Sequence, residues 1–172
     1  NMSGETVIHP DDLTRIEQNF VCEPKHKTAF DRNFWIWEEY QAGNTYLLVG
    51  DVARGDGKDY SAFSIIKLEN MEVVAEYQGK PDIDVYSMIL QSAGSEYGSC
   101  MVVIENNNIG YAILEKLISA GYPNVYYSTK ASHEYVDPLI AQSISTAIPG
   151  FTTSMKTRPL IIAKLEEFIR NK

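Results

Sequence analysis

Two acidic residues stand where carboxylates can do chemistry. Asp51 directly ends the apolar run Tyr46-Leu47-Leu48-Val49-Gly50, and Glu105 directly ends Met101-Val102-Val103-Ile104. An acid closing one apolar run can simply mark where the chain exits to solvent; that explains one of them comfortably and both less well. Ligands of open α/β sheets bind just outside the C-terminal ends of the strands. Neighbouring strands lie roughly 5 Å apart, so two such carboxylates converge if their strands are parallel neighbours. At that distance they repel and need a proton or a cation between them at neutral pH. With no His nearby, a hard divalent cation with oxygen ligands, Mg²⁺ or Mn²⁺, is the natural solution. Asp59 is a third candidate, because the return from the first strand to the second brings it back toward the same rim. Gly55 and Gly57 let that turn be tight and let a phosphate approach the backbone. A turn-forming or capping role is the alternative for Asp59, and for Asp56 it is the preferred one.

The elements that must position these acids follow from periodicity. Tyr46 to Gly50 is a continuous apolar run, as expected of a strand buried on both faces. A second strand is expected from about Ser61 to Leu68 and a third from Met71 to Tyr77, joined through Glu69-Asn70 as a tight antiparallel hairpin. Pro81-Asp82 opens a helix with Val85, Met88, Ile89 and Ala93 at helical spacing, closing near Gly94 to Gly98. Met101 to Ile104 is the fourth strand. Asn108 is expected to cap a second helix with Ile113, Leu114, Leu117 and Ile118 on one face, stopped by Gly121 and Pro123. Val125-Tyr126-Tyr127 reads as a short fifth strand, followed by a polar, irregular stretch to Thr153. A last helix is expected from near Thr157, with Pro159 in its first turn and Ile161, Leu165, Phe168 and Ile169 facing inward. Right-handed crossovers then place the fourth strand beside the first and the fifth outside it. The expectation is an α/β fold: a mixed five-stranded sheet, order 3-2-1-4-5, with helices on both faces.

Residues 1–43 differ. They hold a short helix candidate (Asp11 or Asp12 as N-cap, then Leu13, Ile16 and Phe20) and the aromatic segment Phe34-Trp35-Ile36-Trp37, with no strand rhythm. This reads as an arm or connector wrapped onto the core of residues 44–172, its Trp residues serving as anchors.

The 172-residue length suits one ordinary domain, and no apolar run approaches the ~20 residues of a membrane helix. The N-terminus has no basic-then-apolar order, so it is no secretory signal. Cys22 and Cys100 form no cluster with His9, His26 or His133, which argues against a zinc site and for a reducing compartment. The net charge of −8 counts against a general nucleic-acid binder without excluding one whose contacts are few and local. The locally basic stretch near the end, with Lys156, Arg158, Lys164, Arg170 and Lys172, reads on charge alone as a solvated helix face.

The segment Val49-Gly50-Asp51-Val52-Ala53-Arg54-Gly55-Asp56-Gly57-Lys58-Asp59-Tyr60-Ser61-Ala62-Phe63 resembles the first nuclease motif of the large terminase subunits of tailed bacteriophages. That motif is a strand ending in Asp, a Gly-containing loop, then Asp-Tyr and a small residue. Val102-Val103-Ile104-Glu105-Asn106-Asn107-Asn108-Ile109-Gly110 is similar to the second, a strand ending in Glu followed by Asn and Gly before a helix. The basic segment from Thr153 resembles the stretch before the final motif. The resemblance covers about residues 44 to 172 and implies an RNase H-like, RuvC-like endonuclease that cuts concatemeric double-stranded DNA during packaging in the host cytoplasm. It implies as partners an ATPase domain, the small terminase subunit and the portal. No Gly-x-x-x-x-Gly-Lys-Ser/Thr loop occurs here, so this chain has no ATP site of that kind. Two-metal hydrolysis would then use Asp51 as the bridging ligand of two ions about 4 Å apart and Glu105 as a ligand of one. Asp59 would orient water, and Lys156, Arg158 and Lys130 would contact phosphates.

The chain departs from the family in one respect. The family has a further Asp on a helix soon after the basic segment. Asp137, Glu166 and Glu167 do not match it, so the sequence reads as truncated before its last ligand, with weak metal binding expected. Other functions weighed are a Holliday-junction resolvase or RNase H, an actin-like phosphotransferase lobe (for which a second Asp- and Gly-rich hairpin is missing), and a non-catalytic docking module.

Overall fold

A computed structural model describes residues 23–52, 60–129, 135–141, 143 and 146–152. The core strand β3 (Tyr46–Asp51) is buried along most of its length and lies between two partners. On one side it pairs antiparallel with β4 (Ser61–Lys67), and on the other parallel with β6 (Met101–Ile104). β4 pairs in turn with β5 (Glu72–Gly79). The middle of the sheet, β5-β4-β3-β6, therefore has the expected order.

The whole sheet does not. Among the described residues it has six strands, because β1 (His26–Thr28) and β2 (Phe34–Ile36) extend it beyond β5, giving β1-β2-β5-β4-β3-β6. The aromatic segment is thus a strand, contrary to expectation, and its anchors are Phe34 and Ile36. These two point into the core while Trp35 points out. Alternation is invisible in Phe-Trp-Ile-Trp because both faces of the strand carry large apolar side chains.

The expected fifth strand also needs correction. Val125 makes one parallel bridge to Val102, held by Val102 N–H to the Asn124 carbonyl (2.9 Å) and Tyr126 N–H to the Val102 carbonyl (2.9 Å). The chain then leaves for a separate three-stranded sheet, in which β7 (Tyr127–Thr129) pairs antiparallel with both β8 (Tyr135–Val136) and β9 (Ala147–Pro149). The stretch expected to be irregular thus holds two short strands and the single-turn helix α3 (Pro138–Ala141). The lane beside β6 is completed by residues that return later. Gly150 N–H donates to the Tyr126 carbonyl, and Phe151 bridges in parallel to Glu105. Gly150 has φ +75°, where a Cβ would be strained and would also collide with the Ile104 carbonyl.

The β4–β5 connection spans residues 68–71, with Met71 left-handed at φ 59°, and is longer than the two-residue turn expected. Helix α1 (Ile83–Glu96) starts as expected, the Asp82 carboxylate accepting from Val85 N–H. Helix α2 (Asn108–Ser119) is capped by Asn107, one residue earlier than expected, through Gly110 N–H at 3.0 Å. Both helices pack on the same face of the sheet and against each other. Tyr86, Ile89 and Leu90 of α1 and Ile113, Leu114 and Leu117 of α2 share a core with Leu48, Phe63, Ile65, Val102 and Ile104. Leu47, Met101, Val103 and Tyr126 form a smaller cluster on the opposite face. Both of these helices thus lie on one face, and the last helix, expected near Thr157, lies outside the described residues. No helix among the described residues is long and apolar enough to cross a membrane.

Candidate active site

The strand register brings the two predicted acids together. β3 and β6 pair Leu47 with Met101, Leu48 with Val102, Val49 with Val103 and Gly50 with Ile104, so the next step along both strands is Asp51 beside Glu105. Side chains alternate across a sheet. Leu47, Val49 and Asp51 thus share one face, and Met101, Val103 and Glu105 share the same one, opposite the two helices. Asp51 is exposed and Glu105 half-buried, so each carboxylate sits at the rim with access to water.

Each acid is held by its own local device. Beneath Asp51, the buried Tyr86 of α1 donates its hydroxyl to the Ala62 carbonyl (3.0 Å), with the Asp51 carbonyl also in reach (3.2 Å). Asp51 and Ala62 are register partners, so one hydroxyl ties together the ends of both strands. Gly50 makes room, since a Cβ there would lie 3.4 Å from that hydroxyl and 3.3 Å from Ile104 Cγ1. Burial first, and then the charge of Asp51, push the Tyr86 pKa well above the usual phenol range, so it remains a donor at any physiological pH.

Around Glu105, the following helix comes in very close. A Cβ on Gly110 would overlap the Glu105 carbonyl oxygen, which explains Gly at that position of the motif. Asn106 staples the returning segment to the same rim. Its side chain donates to the Pro149 carbonyl (3.1 Å) and accepts from the Thr152 hydroxyl (2.9 Å), while its backbone N–H donates to the Phe151 carbonyl (2.8 Å). Sequence reasoning missed Tyr86 and Thr152. Tyr86 reads as an ordinary helix core residue, and only Pro149-Gly150 hints that the chain turns back to β6.

Asp59, Lys130, Lys156 and Arg158 lie outside the described residues, as do His9, His133 and Cys22. His26 lies on β1, at the opposite edge of the sheet, bonded to Glu39 (2.6 Å). Cys100 is buried, consistent with a core role. Among the described residues no group of three or more His, Cys, Asp or Glu gathers that could hold a metal ion. What the rim offers is a pair of carboxylates, a hard-oxygen donor set that suits a divalent cation and leaves room for ligands from elsewhere.

The mixed sheet of this chain, with its helices, has the fold of large-terminase nuclease domains. Its structure is similar to the magnesium-bound large terminase nuclease of thermophilic phage G20c, with a TM-score of 0.57 and 17% identity over 88% of this chain and 66% of that one. The zinc-bound form of the G20c nuclease aligns with a TM-score of 0.50 and 21% identity over 59% of this chain and 57% of that one, so the chain spans little more than half its length. No protein-family model matches the sequence, and no curated protein does.

Proposed function

We propose that this chain is the nuclease domain of a viral DNA-packaging terminase, a metal-dependent endonuclease that hydrolyses phosphodiester bonds of double-stranded DNA. The observation that carries the proposal is the register of β3 and β6, which makes Asp51 and Glu105 same-face neighbours at the carboxyl ends of parallel strands. A further support is the fold, shared with nucleases solved with magnesium and with zinc bound.

Asp51 and Glu105 would hold the divalent cations, Mg²⁺ or Mn²⁺, whose chemistry when bound is to neutralise phosphate charge and activate water. Asp59 is assigned to the same site, as it lies three residues before Ala62, the register partner of Asp51. Tyr86 and Asn106 position the two acids through the backbone. Lys156, Arg158 and Lys130 are assigned to phosphate contact, a sequence-independent role that suits a cutter with little base preference. In the motor the domain would act with an ATPase domain, the small terminase subunit and the portal, in the host cytoplasm.

The test is nicking of supercoiled plasmid in Mn²⁺ or Mg²⁺ by this chain and by its Asp51→Asn variant. Cutting that requires both the metal and Asp51 is expected; cutting that survives Asp51→Asn, or plasmid left intact in both metals, would falsify the assignment.

A further inference from the structure

A groove of about 740 Å³ opens on the sheet face that carries the two acids. Its lining includes Trp35, Trp37, Tyr60, Ser64, Glu76 and Gln78. Cross-strand register makes it continuous with the acid pair. Asp51 pairs with Ala62, and Ala62 with Gln78; one step in from the rim, Val49, Ser64, Glu76, Trp35 and Lys27 form one row across five strands. At about 4.8 Å per strand, the row runs roughly 19 Å. Tyr60 is 53% exposed and Trp35 38%, although both are large and partly apolar. Two lysines flank the groove with their ammonium groups held over these rings, Lys80 over Tyr60 (4.7 Å) and Lys27 over Trp35 (4.4 Å).

We propose that this groove holds an unpaired stretch of the DNA strand running away from the Asp51–Glu105 pair. The inference rests on the nuclease assignment for the identity of the nucleic acid. Aromatic side chains on an open sheet face give unstacked bases a surface to stack on, and a duplex cannot use it because its bases face each other. Glu76 keeps phosphates out of the centre, where Ser64, Gln78 and Glu76 itself suit the polar edges of bases. Phosphates belong at the ends, beside Lys80 and beside Lys27, whose exposed ion pair with Glu23 (3.7 Å) a phosphate would displace. A purely apolar partner would leave Glu76 and Gln78 desolvated and unpaired.

The test uses Asp51→Asn as the parent, so that DNA is bound and not cut. Fluorescence anisotropy compares a labelled blunt duplex with the same duplex carrying a single-stranded thymidine tail. Tighter binding of the tailed DNA is expected. Tyr60→Ala and Lys80→Ala, both at exposed positions, should remove that preference, each weakening tail binding about tenfold. Lys80→Ala should also lower the slope of log affinity against log salt by about 0.7, a change that loss of packing would not produce. Equal binding of tailed and blunt DNA by the parent, or full tail binding by both variants, overturns the proposal. Plasmid nicking by the unsubstituted chain, measured alongside, separates the two ideas: nicking with no role for the groove leaves the nuclease standing. Tail binding that depends on Tyr60 and Lys80 supports the groove even if plasmid stays intact.

Discussion

The hydroxyl of Tyr86 lies 3.2 Å from the main-chain carbonyl of Asp51, reaching up from helix α1 through the space that Gly50 leaves open. A helix on one face of the sheet thereby holds the backbone from which a carboxylate projects on the other. Tyr86→Phe removes the hydroxyl and keeps the ring. Metal affinity should fall about tenfold, as for partners that orient a ligand, while stability falls by only about 1 kcal/mol. Calorimetric titration with Mn²⁺ beside a thermal melt checks both; unchanged Mn²⁺ affinity would leave Tyr86 a packing residue only.

Neutralising either acid should separate function from folding. Two same-face carboxylates repel when no cation is bound. Asp51→Asn and Glu105→Gln should therefore melt at or above the temperature of the unsubstituted protein in chelator. Mg²⁺ or Mn²⁺ should raise the melting temperature of the unsubstituted protein and do so less for either variant, because a ligand that binds only the folded state stabilises it. Variants that melt far lower in chelator would show that the acids are structural.

Gly110→Ala tests the approach of α2 to the rim. The added methyl group overlaps the Glu105 carbonyl, so the helix start or the strand end must move. Overpacking of this kind costs roughly 1–3 kcal/mol, and cutting should fall further than stability alone explains. Urea denaturation and plasmid nicking on the same preparation provide the comparison. Wild-type values for both would mean that the rim tolerates displacement.

High pH should unfold the protein through groups that burial keeps neutral. The Cys100 thiol is pushed up from 9.0 to about 12 by burial, and burial also raises Tyr86, Tyr97 and Tyr122. The unfolded chain loses these protons first, so their stabilisation is complete below about pH 9 and is lost progressively as pH rises toward the folded-state values. Urea midpoints at pH 7.5 and 10.5 should differ accordingly. Burial keeps the Cys100 thiol protonated near pH 8 and out of reach, so iodoacetamide should label it only after unfolding, as peptide mapping by mass spectrometry can read. Rapid native labelling at Cys100 would contradict the burial.

The acid pair was legible in the sequence because a strand buried on both faces writes itself as an unbroken apolar run, and an acid at its end stands out. Tyr46 to Asp51 and Met101 to Glu105 both have this form, and the helix between them required a parallel crossover. The edges were harder. Phe34-Trp35-Ile36 hides its alternation because Trp35 lines an open groove on the face away from the core. The lane beside β6 was not legible at all. Val125 begins it and Phe151 ends it, and no local pattern announces that two distant segments share one strand position. Asn107 and Asn108 are equally good caps by type, and only the close approach of Gly110 to Glu105 selects the first.

That shared lane has a consequence for how the protein can vary. Tyr126 and Gly150 are joined by a hydrogen bond, so the chain that departs after Tyr126 is back beside the main sheet at Gly150. Between these two points, among the described residues, β7, β8 and β9 pair with one another. This excursion is docked as well as tethered: Tyr127, Val136 and Ala141 are buried in the same core as Val102 and Ile104, and the Asn106 side chain holds the Pro149 carbonyl. Changes at its buried positions therefore reach the core behind β6, and with it the strand end that carries Glu105.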